Sequence, residues 1–437
     1  MFPNTPTLHY STPVDFLYSL QSFGMKLGLR NIKLLLKSLG NPEQEFPCVH
    51  IAGTNGKGST SAMLAAILTA SGYRTGLYTS PHLVSFSERI RINGKKISDR
   101  LIAEYTSILK PTILETKATF FEATTAIAFK YFADEKVDIA IIETGLGGRF
   151  DATNVLTPLL SIITNIGLDH TEHLGKTLAS IAFEKGGIIK PNVPCIFESD
   201  KLEARKVIRK IAREQGSPLM ETRKVGAVMT ENISLRGLTV NLWTEENYYP
   251  KLFTSLTGEH QALNLRLSIM AVERLKQDSG FGKISNKTIR QGLRNVQSLA
   301  GFHARLEVIK KKPLIIADVA HNPDGIKSAI SSLQKMLVNR PVVVFGVMKD
   351  KDYRAMIESL TKFARHAIPV QPKTERALSS KLLTEEFHAK QFPTLNGGSV
   401  ADGLSLAMNQ VRSDEAIVIL GSHYVVGEAF DTIQIKT

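Results

Sequence analysis

The sequence predicts an α/β protein: an N-terminal P-loop domain whose mainly parallel sheet is flanked by helices, followed by a smaller C-terminal Rossmann-like α/β domain. Three observations carry this. Short apolar runs bounded by turn residues alternate with helical patterns along most of the 437 residues, the pattern of strand–helix–strand units on a parallel sheet. One run enters a glycine-rich turn, Gly53-Thr54-Asn55-Gly56-Lys57-Gly58-Ser59, that opens a helix. The periodicity then breaks around residues 295–303, which sets the two domains at 1–298 and 299–437.

In chain order, Thr12-Pro13 starts a helix bearing Phe16, Leu17 and Leu20, and after an interruption at 24–28 a second helix through Ile32, Leu35 and Leu36 stops at Gly40. Cys48–Ala52 reads as a buried strand, and Met63, Leu64, Ile67 and Leu68 form one stripe of the helix beyond the turn. The turn between them is a phosphate cradle. Gly53, Gly56 and Gly58 let the backbone bend tightly and offer N–H groups to an anion, with the positive end of the helix dipole behind them. Lys57 can reach terminal phosphates and Ser59 can ligate Mg²⁺. Gly58 separates that lysine from the hydroxyl, so the spacing differs from the common G-x-x-x-x-G-K-[ST]. A bare strand-turn-helix corner requires neither three glycines nor the lysine and Ser-Thr pair.

The strand Thr75–Tyr78 delivers Ser80, within Thr79-Ser80-Pro81-His82-Leu83, as a candidate second hydroxyl for a phosphate-bound metal. Residues 89–92 alternate as a strand into an Asn93-Gly94 hairpin turn, and Ser98 caps the next helix. Thr119-Phe120-Phe121-Glu122 opens another helix; its two rings and carboxylate are either core residues beside a solvated first-turn acid or part of a ligand site. Strand 137–142 ends in Glu143-Thr144-Gly145-Leu146-Gly147-Gly148-Arg149. An acid at that place can hold Mg²⁺ opposite phosphates, and the glycines admit a ligand to the backbone.

Strand 161–164 leads to Asp169-His170, bringing His170 to the edge shared by Ser80 and Glu143. Residues 181–189 read as a helix ending at glycine, where Lys185 would ordinarily be a C-terminal cation. A short strand at Cys195–Phe197, a helix at 202–215, polar β segments at 224–252 and a helix opened by Gly258-Glu259-His260-Gln261 complete the first domain. In the second, strands at 306–309, Leu314–Ala317, Val342–Phe345 and Ala416–Leu420 end in polar clusters at 318–323, 346–352 and 421–424 that can close over the first domain.

The formal charge of +13 raises the question of a nucleic-acid partner. Apart from Lys310-Lys311-Lys312 the basic residues are scattered through helices, with no arginine-aromatic interleaving, so the balance fits polyanionic small molecules or a surplus of solvated lysines. Cys48 and Cys195 lie in apolar strands without metal or redox spacing and read as small buried hydrophobes. No leader pattern or membrane-length apolar run is present, so the expectation is a cytoplasmic protein without a membrane partner; a monomer without a nucleic-acid partner is expected as well.

The motifs at 53–59, 79–83, 143–149 and 169–170, in that order along nearly the whole chain, resemble the signatures of the folylpolyglutamate synthase and dihydrofolate synthase branch of the Mur ligase superfamily. The resemblance implies an ATP-dependent ligase that forms an acyl phosphate and then an amide with L-glutamate on a folate or dihydropteroate. It implies that Gly53, Thr54, Asn55, Gly56, Lys57, Gly58 and Ser59 hold the triphosphate, joined by Asn264, Arg305 and Asp318 as nucleotide contacts. Ser59, Ser80, Glu143 and His170 would ligate Mg²⁺, with a carbamylated Lys185 orienting a second ion. Phe121, Glu122, Gly147, Gly148 and Arg149 would line the pterin side, and His321, Asn322 and Ser422 would face the cleft, with Lys57, Lys185 and His321 as catalytic groups.

Three positions depart from the family pattern. Ala304 stands where glycine is favoured before the arginine, Val319 interrupts Asp-Gly-Ala-His-Asn-Pro, and Gly186 replaces an alanine. All three leave the ligand side chains in place and bear on loop geometry. Two other readings are a cell-wall Mur ligase, against which Gly58 and the Ser-Pro-His-Leu loop speak, and a P-loop NTPase switch, whose hydrolysis would not require an amino acid.

Overall fold

The structure, a computed structural model, describes residues 12–24, 28–412 and 414–435. The interruption read at 24–28, and the chain start before Thr12, fall partly or wholly outside the described residues. Strands β1 (Cys48–Ala52), β2 (Thr75–Tyr78), β3 (Ile90–Ile92), β4 (Lys95–Lys96), β5 (Ile139–Glu143), β6 (Leu160–Ile163), β7 (Cys195–Phe197) and β8 (Leu219–Glu221) form one sheet. Their order is β4-β3-β2-β5-β1-β6-β7-β8. The six from β2 to β8 run parallel, and β3 and β4 add an antiparallel hairpin through Asn93 and Gly94, whose φ values of 48° and 76° suit the tight turn that dipeptide favours.

β1 is buried along its whole length because helices cover both faces of the sheet, which is why it reads as an unbroken apolar run. Helix Lys57–Ala70 is likewise buried from Gly58 to Leu68, packed between the sheet and helices Gln261–Asp278 and Asn286–Arg294. Helices Arg30–Ser38, Asp99–Thr116 and Phe120–Asp134 share a separate apolar cluster on β2 and β5. Ile51 pairs with Glu143 and Ala52 with Ile163, so β1, β5 and β6 end level and deliver their following loops to one edge.

The segments read only as polar β form a three-stranded antiparallel sheet, β9 (Gly226–Ser234), β10 (Gly237–Thr244) and β11 (Tyr248–Thr254), ordered β11-β10-β9. Leu238, Val240, Leu242 and Leu252 carry it onto the same core as helix Gln261–Asp278. The last sheet contains β12 (Glu307–Lys311), β13 (Leu314–Ala317), β14 (Val342–Phe345), β15 (His366–Gln371), β16 (Gly398–Ser399) and β17 (Ala416–Leu420), ordered β12-β13-β17-β14-β15-β16 and parallel except for β12. β15 was hidden by Pro369, since proline inside a run argues against a strand. Helix Val296–Ala300 still packs on Lys57–Ala70, so we place the passage between the two units at 301–306. Among the described residues no helix is long and apolar enough to cross a membrane.

One buried ion pair fixes the far side of the first unit. Glu198, just past β7, accepts from the Thr222 hydroxyl and the Arg266 guanidinium, and Arg266 Nη1 also donates to the Gly226 carbonyl at 3.2 Å. Glu198→Ala strands a buried guanidinium and should lower stability by about 3 kcal/mol. A urea midpoint equal to that of the unsubstituted protein would contradict this, and replacing both partners by Leu and Met should recover most of the loss.

Candidate active site

The cradle is braced from β6. Thr54 N–H donates to the Asn165 carbonyl at 3.0 Å, Asn55 N–H to Asn165 Oδ1 at 2.8 Å, and the Thr164 hydroxyl to the Asn55 carbonyl at 2.7 Å. Gly53 and Gly56 have φ of 154° and 87°, and a Cβ on them would overlap Thr164 Oγ1 and Asn264 Oδ1. Asn264 therefore lies against the cradle, with its Nδ2 donating to Gln261 at 2.9 Å. Lys57 Nζ folds back onto the carbonyls of Gly53 and Thr54, at 3.1 and 3.3 Å. The first N–H groups of its helix have no intrahelical acceptor and so remain available to an anion.

Lys185 is not the surface cation that its helix position suggested. It is 4% exposed, and its Nζ donates to the Gly53 carbonyl at 2.8 Å, the same oxygen that Lys57 uses. Burial first, and then Lys57, push its amine down to about 7. Helix Leu178–Gly186 is pinned there by Arg149, whose N–H donates to the Glu184 carbonyl at 2.7 Å and whose guanidinium pairs with Glu184 at 2.6 Å. That guanidinium is also flanked by the Phe150 and Phe183 rings, at 4.2 and 4.8 Å. Gly147 and Gly148 run along this helix end, facing Leu174 and the carbonyls of Glu184 and Lys185.

Glu143 meets the cradle at the end of β5. It is buried, Oε2 accepts the Ser80 N–H at 3.3 Å, and a Cβ on Gly58 would stand 3.5 Å from that oxygen. Burial pushes its carboxyl up to about 7, with Lys57, the Ser80 N–H, Arg305 and Arg89 pulling the other way. A divalent cation fits such an acid. Ser59 is buried in the first turn beside it. Burial likewise pushes the His170 imidazole down to about 4, against the pull of Asp169, leaving it neutral as a ligand must be. Among the described residues no three His, Cys, Asp or Glu side chains gather as a metal cage. An ion held here would rest on the Glu143 carboxylate, hydroxyls and phosphate oxygens, which is a donor set suited to Mg²⁺.

Glu122 is not the solvated acid considered for it. It is buried in a reciprocal cap, accepting the Thr119 N–H at 2.8 Å while its own N–H donates to Thr119 Oγ1 at 3.3 Å. Phe121 does reach the Glu143 loop: a Cβ on Gly145 would stand 2.5 Å from its Cζ. In the second unit, Asp318 has both oxygens engaged, by Leu306 N–H and Ala320 N–H at 2.8 Å each, and so holds the turn that carries Arg305. Arg305 lies over the Phe302 ring at 4.7 Å and donates to the Ala304 carbonyl at 3.0 Å. Ser422 caps helix His423–Ile433 through the Val425 N–H, at 3.1 Å.

The two units meet at Asp169, for which the motif alone gave no role. Lys351 Nζ reaches its Oδ1 at 2.8 Å, Asn322 Nδ2 its Oδ2 at 3.1 Å, and His321 Nε2 lies 3.7 Å away. Burial alone would raise this carboxyl; His321, His170 and Lys351 outweigh it and hold it well below the usual range. Asn322 Nδ2 also donates to Asn55 Oδ1 at 3.1 Å, tying the second unit to the cradle. Sequence reasoning also passed over Arg89, read as a strand residue, which donates from Nε to His82 Nδ1 at 2.8 Å. His82 Nε2 therefore carries the proton it shares with the Tyr18 hydroxyl at 3.2 Å.

Residues 51–272 match the Mur ligase middle domain, and residues 304–423 match the Mur ligase glutamate ligase domain. The chain is 39% identical over 429 residues to the dihydrofolate synthase/folylpolyglutamate synthase of Bacillus subtilis, covering 96% of this chain and 98% of that relative. Its structure is similar to that of Mycobacterium tuberculosis folylpolyglutamate synthase complexed with ADP, with a TM-score of 0.87, 30% identity and coverage of 97% and 99% of the two chains. It is also similar to Escherichia coli FolC in complex with DHPP and ADP, with a TM-score of 0.86, 26% identity and coverage of 97% and 98%.

The Asp169 junction makes a testable demand. Lys351→Met removes the shortest cationic contact on a buried carboxylate and should loosen the junction without unfolding either unit. The expected result is a larger radius of gyration in solution scattering and faster amide exchange at 54–56, 321–322 and 324–325. Unchanged scattering and exchange would mean that Lys351 does not hold the units together.

Proposed function

The chain belongs to the Mur ligase family and is an ATP-dependent ligase of the dihydrofolate synthase/folylpolyglutamate synthase type, and we propose that it joins L-glutamate to dihydropteroate, a reduced folate or both through the edge just described. The observation that carries this reading is the convergence of Lys57 and Lys185 on the Gly53 carbonyl, beside a buried Glu143 displaced toward its neutral form. Two amines and a carboxyl so placed suit a polyphosphate accompanied by a cation.

In this reading the cradle N–H groups and Lys57 hold the phosphates, while Asn264 and Arg305 face the nucleotide and Asp318 holds the Arg305 turn. Ser59, Ser80, Glu143 and His170 hold Mg²⁺, which when bound neutralises charge as two anions approach. Lys185 reacts as a free amine with CO₂, forming a carbamate and releasing a proton, and the carbamate oxygens serve a second ion. Phe121, Gly147 and Gly148 line the acceptor side, and Glu122 and Arg149 shape it through their cap and their pairing with Glu184. His321, Asn322 and Ser422 approach from the second unit. The γ-phosphoryl group passes to the acceptor carboxylate as ADP leaves, the unprotonated amine of glutamate attacks the acyl carbon, and the amide forms as phosphate and the amine's proton leave. Closure of the second unit keeps water from the acyl phosphate. The enzyme works as a cytoplasmic monomer on small molecules, without nucleic-acid or membrane partners.

The reaction is tested by phosphate release from purified protein and ATP. Release is expected only when L-glutamate accompanies dihydropteroate or tetrahydrofolate, and comparing the two acceptors fixes the range. Release without any amino acid would favour a nucleotide switch, and release with a nucleotide-linked cell-wall precursor would favour the cell-wall ligases.

Lys185 supplies an independent test. With an amine pKa of about 7, carbamate occupancy should rise as pH is raised through that value, because only the unprotonated amine reacts. Lys185→Ala should lose most activity and be partly restored by short carboxylic acids. Lys185→Arg should stay inactive because a guanidinium keeps the charge that the carbamate reverses. A fully active arginine variant, or no mass increase for added CO₂ on Lys185 in native spectra, would reject the carbamate.

A further inference from the structure

His50 sits in the middle of β1, fully buried between Ile142 and Ser161 of the neighbouring strands. Its Nε2 lies 2.8 Å from Thr153 Oγ1. The Thr153 hydroxyl lies 2.5 Å from Asp151 Oδ1, which also accepts the Thr153 N–H at 3.0 Å. Asp151 Oδ2 accepts the Leu146 N–H at 2.8 Å, and the Gly145 backbone donates to the same carboxylate. The Thr153 hydroxyl donates its hydrogen to Asp151 Oδ1, so Thr153 Oγ1 can only accept from His50. His50 is thereby fixed as the neutral Nε2–H tautomer, and burial accordingly pushes its pKa down to about 3. Its Nδ1 has no partner among the described residues.

A valine or leucine at this place would fill the strand without desolvating an imidazole or leaving a nitrogen unpaired, so core stability does not explain the histidine. What it does reach is the loop after Glu143. The relay ends at Gly145 and Leu146, and Gly145 is the residue pressed against the Phe121 ring.

We propose that His50 is a positioning residue for the acceptor side of the site, acting through Thr153 and Asp151 to hold residues 145–146 in the shape that presents Phe121. The proposal rests on reading that loop as the acceptor side. His50 never touches substrate; it orients one hydroxyl proton. Because β1 itself continues unchanged into the cradle, loss of the donor should be felt by the acceptor and not by ATP.

The test measures KM for tetrahydrofolate and for ATP, kcat and melting temperature in His50→Met, His50→Gln and Thr153→Val, with Phe121→Ala as a marker of the loop. His50→Met removes the donor at similar volume and should raise the tetrahydrofolate KM about tenfold, the effect of leaving a buried acceptor unpaired, with the ATP KM unchanged. His50→Gln, whose amide can donate in place of Nε2, should restore most of the loss. Thr153→Val should match His50→Met, and the double variant should be no worse than either alone; this arm also decides the matter if His50→Met fails to fold. If Phe121→Ala shifts the tetrahydrofolate KM while His50→Met and Thr153→Val change only the melting temperature, His50 is a core residue and the proposal falls while the acceptor reading stands. If Phe121→Ala does not shift it either, the loop is not the acceptor side and both fall.

Discussion

Two lysine side chains donate to one backbone oxygen, that of Gly53, and much of the site follows from this. Two unit charges about 4 Å apart repel by about 4 kcal/mol at an effective dielectric of 20. The fold relieves the repulsion by burying Lys185 deeply enough to bring its amine near neutrality, while Lys57 stays at the rim of the turn. The same burial displaces Glu143 in the opposite sense. The edge therefore holds an amine and a carboxyl that each carry less charge than usual, and a polyphosphate with a divalent ion would supply the charges that let both ionise or react. That is a reason for the glycine turn to be held so rigidly against Thr164 and Asn165: the carbonyl of Gly53 must stay where both amines can reach it.

The same constraint explains why the second unit belongs to the site. Asp169 follows β6, the strand that braces the cradle, and it gathers Lys351, Asn322 and His321 from two loops of the other sheet. Asn322 touches the cradle and Asp169 at once, so movement of the second sheet is transmitted to Asn55 through a single amide group. Ligase chemistry through an acyl phosphate needs such coupling, because an open site would lose the intermediate to water.

The strands that end at the site were readable because burial on both faces writes them as continuous apolar runs, and the motif residues follow at their carboxyl ends. Ser80, Glu143 and the cradle come together as the spacing suggested. What the sequence concealed depends on contacts between residues far apart in the chain. Lys185 looks like a helix-terminal cation until helix Leu178–Gly186 is seen to lie under the Gly53 loop, 132 residues away in sequence. Glu122 looks solvated because first-turn acids usually are, yet here the capping box is closed over by the apolar cluster. Asp169 and Lys351 are separated by 182 residues, and only the packing of the two sheets pairs them. Pro369 hid β15 for a local reason, since a proline is a poor member of a hydrogen-bonded run.

The three positions read from the sequence as departures, Ala304, Val319 and Gly186, each have a local packing explanation. Ala304 has φ of 60°, a conformation that favours glycine and costs an alanine about 1 kcal/mol. Its methyl is fully buried, its N–H donates to Glu307 Oε2 at 2.7 Å, and its carbonyl accepts from Val319 N–H at 3.3 Å and from Arg305 Nη1 at 3.0 Å. The second departure, Val319, is thus the hydrogen-bond partner of the first, and its side chain joins the same apolar cluster, so the two substitutions share one turn. Gly186 is explained from outside its own helix: an added Cβ would stand 2.5 Å from Ile211 Cδ1 and 3.1 Å from Ile208 Cδ1. Those isoleucines occupy the room an alanine methyl would need, and the helix end that carries Lys185 keeps its place under the Gly53 loop.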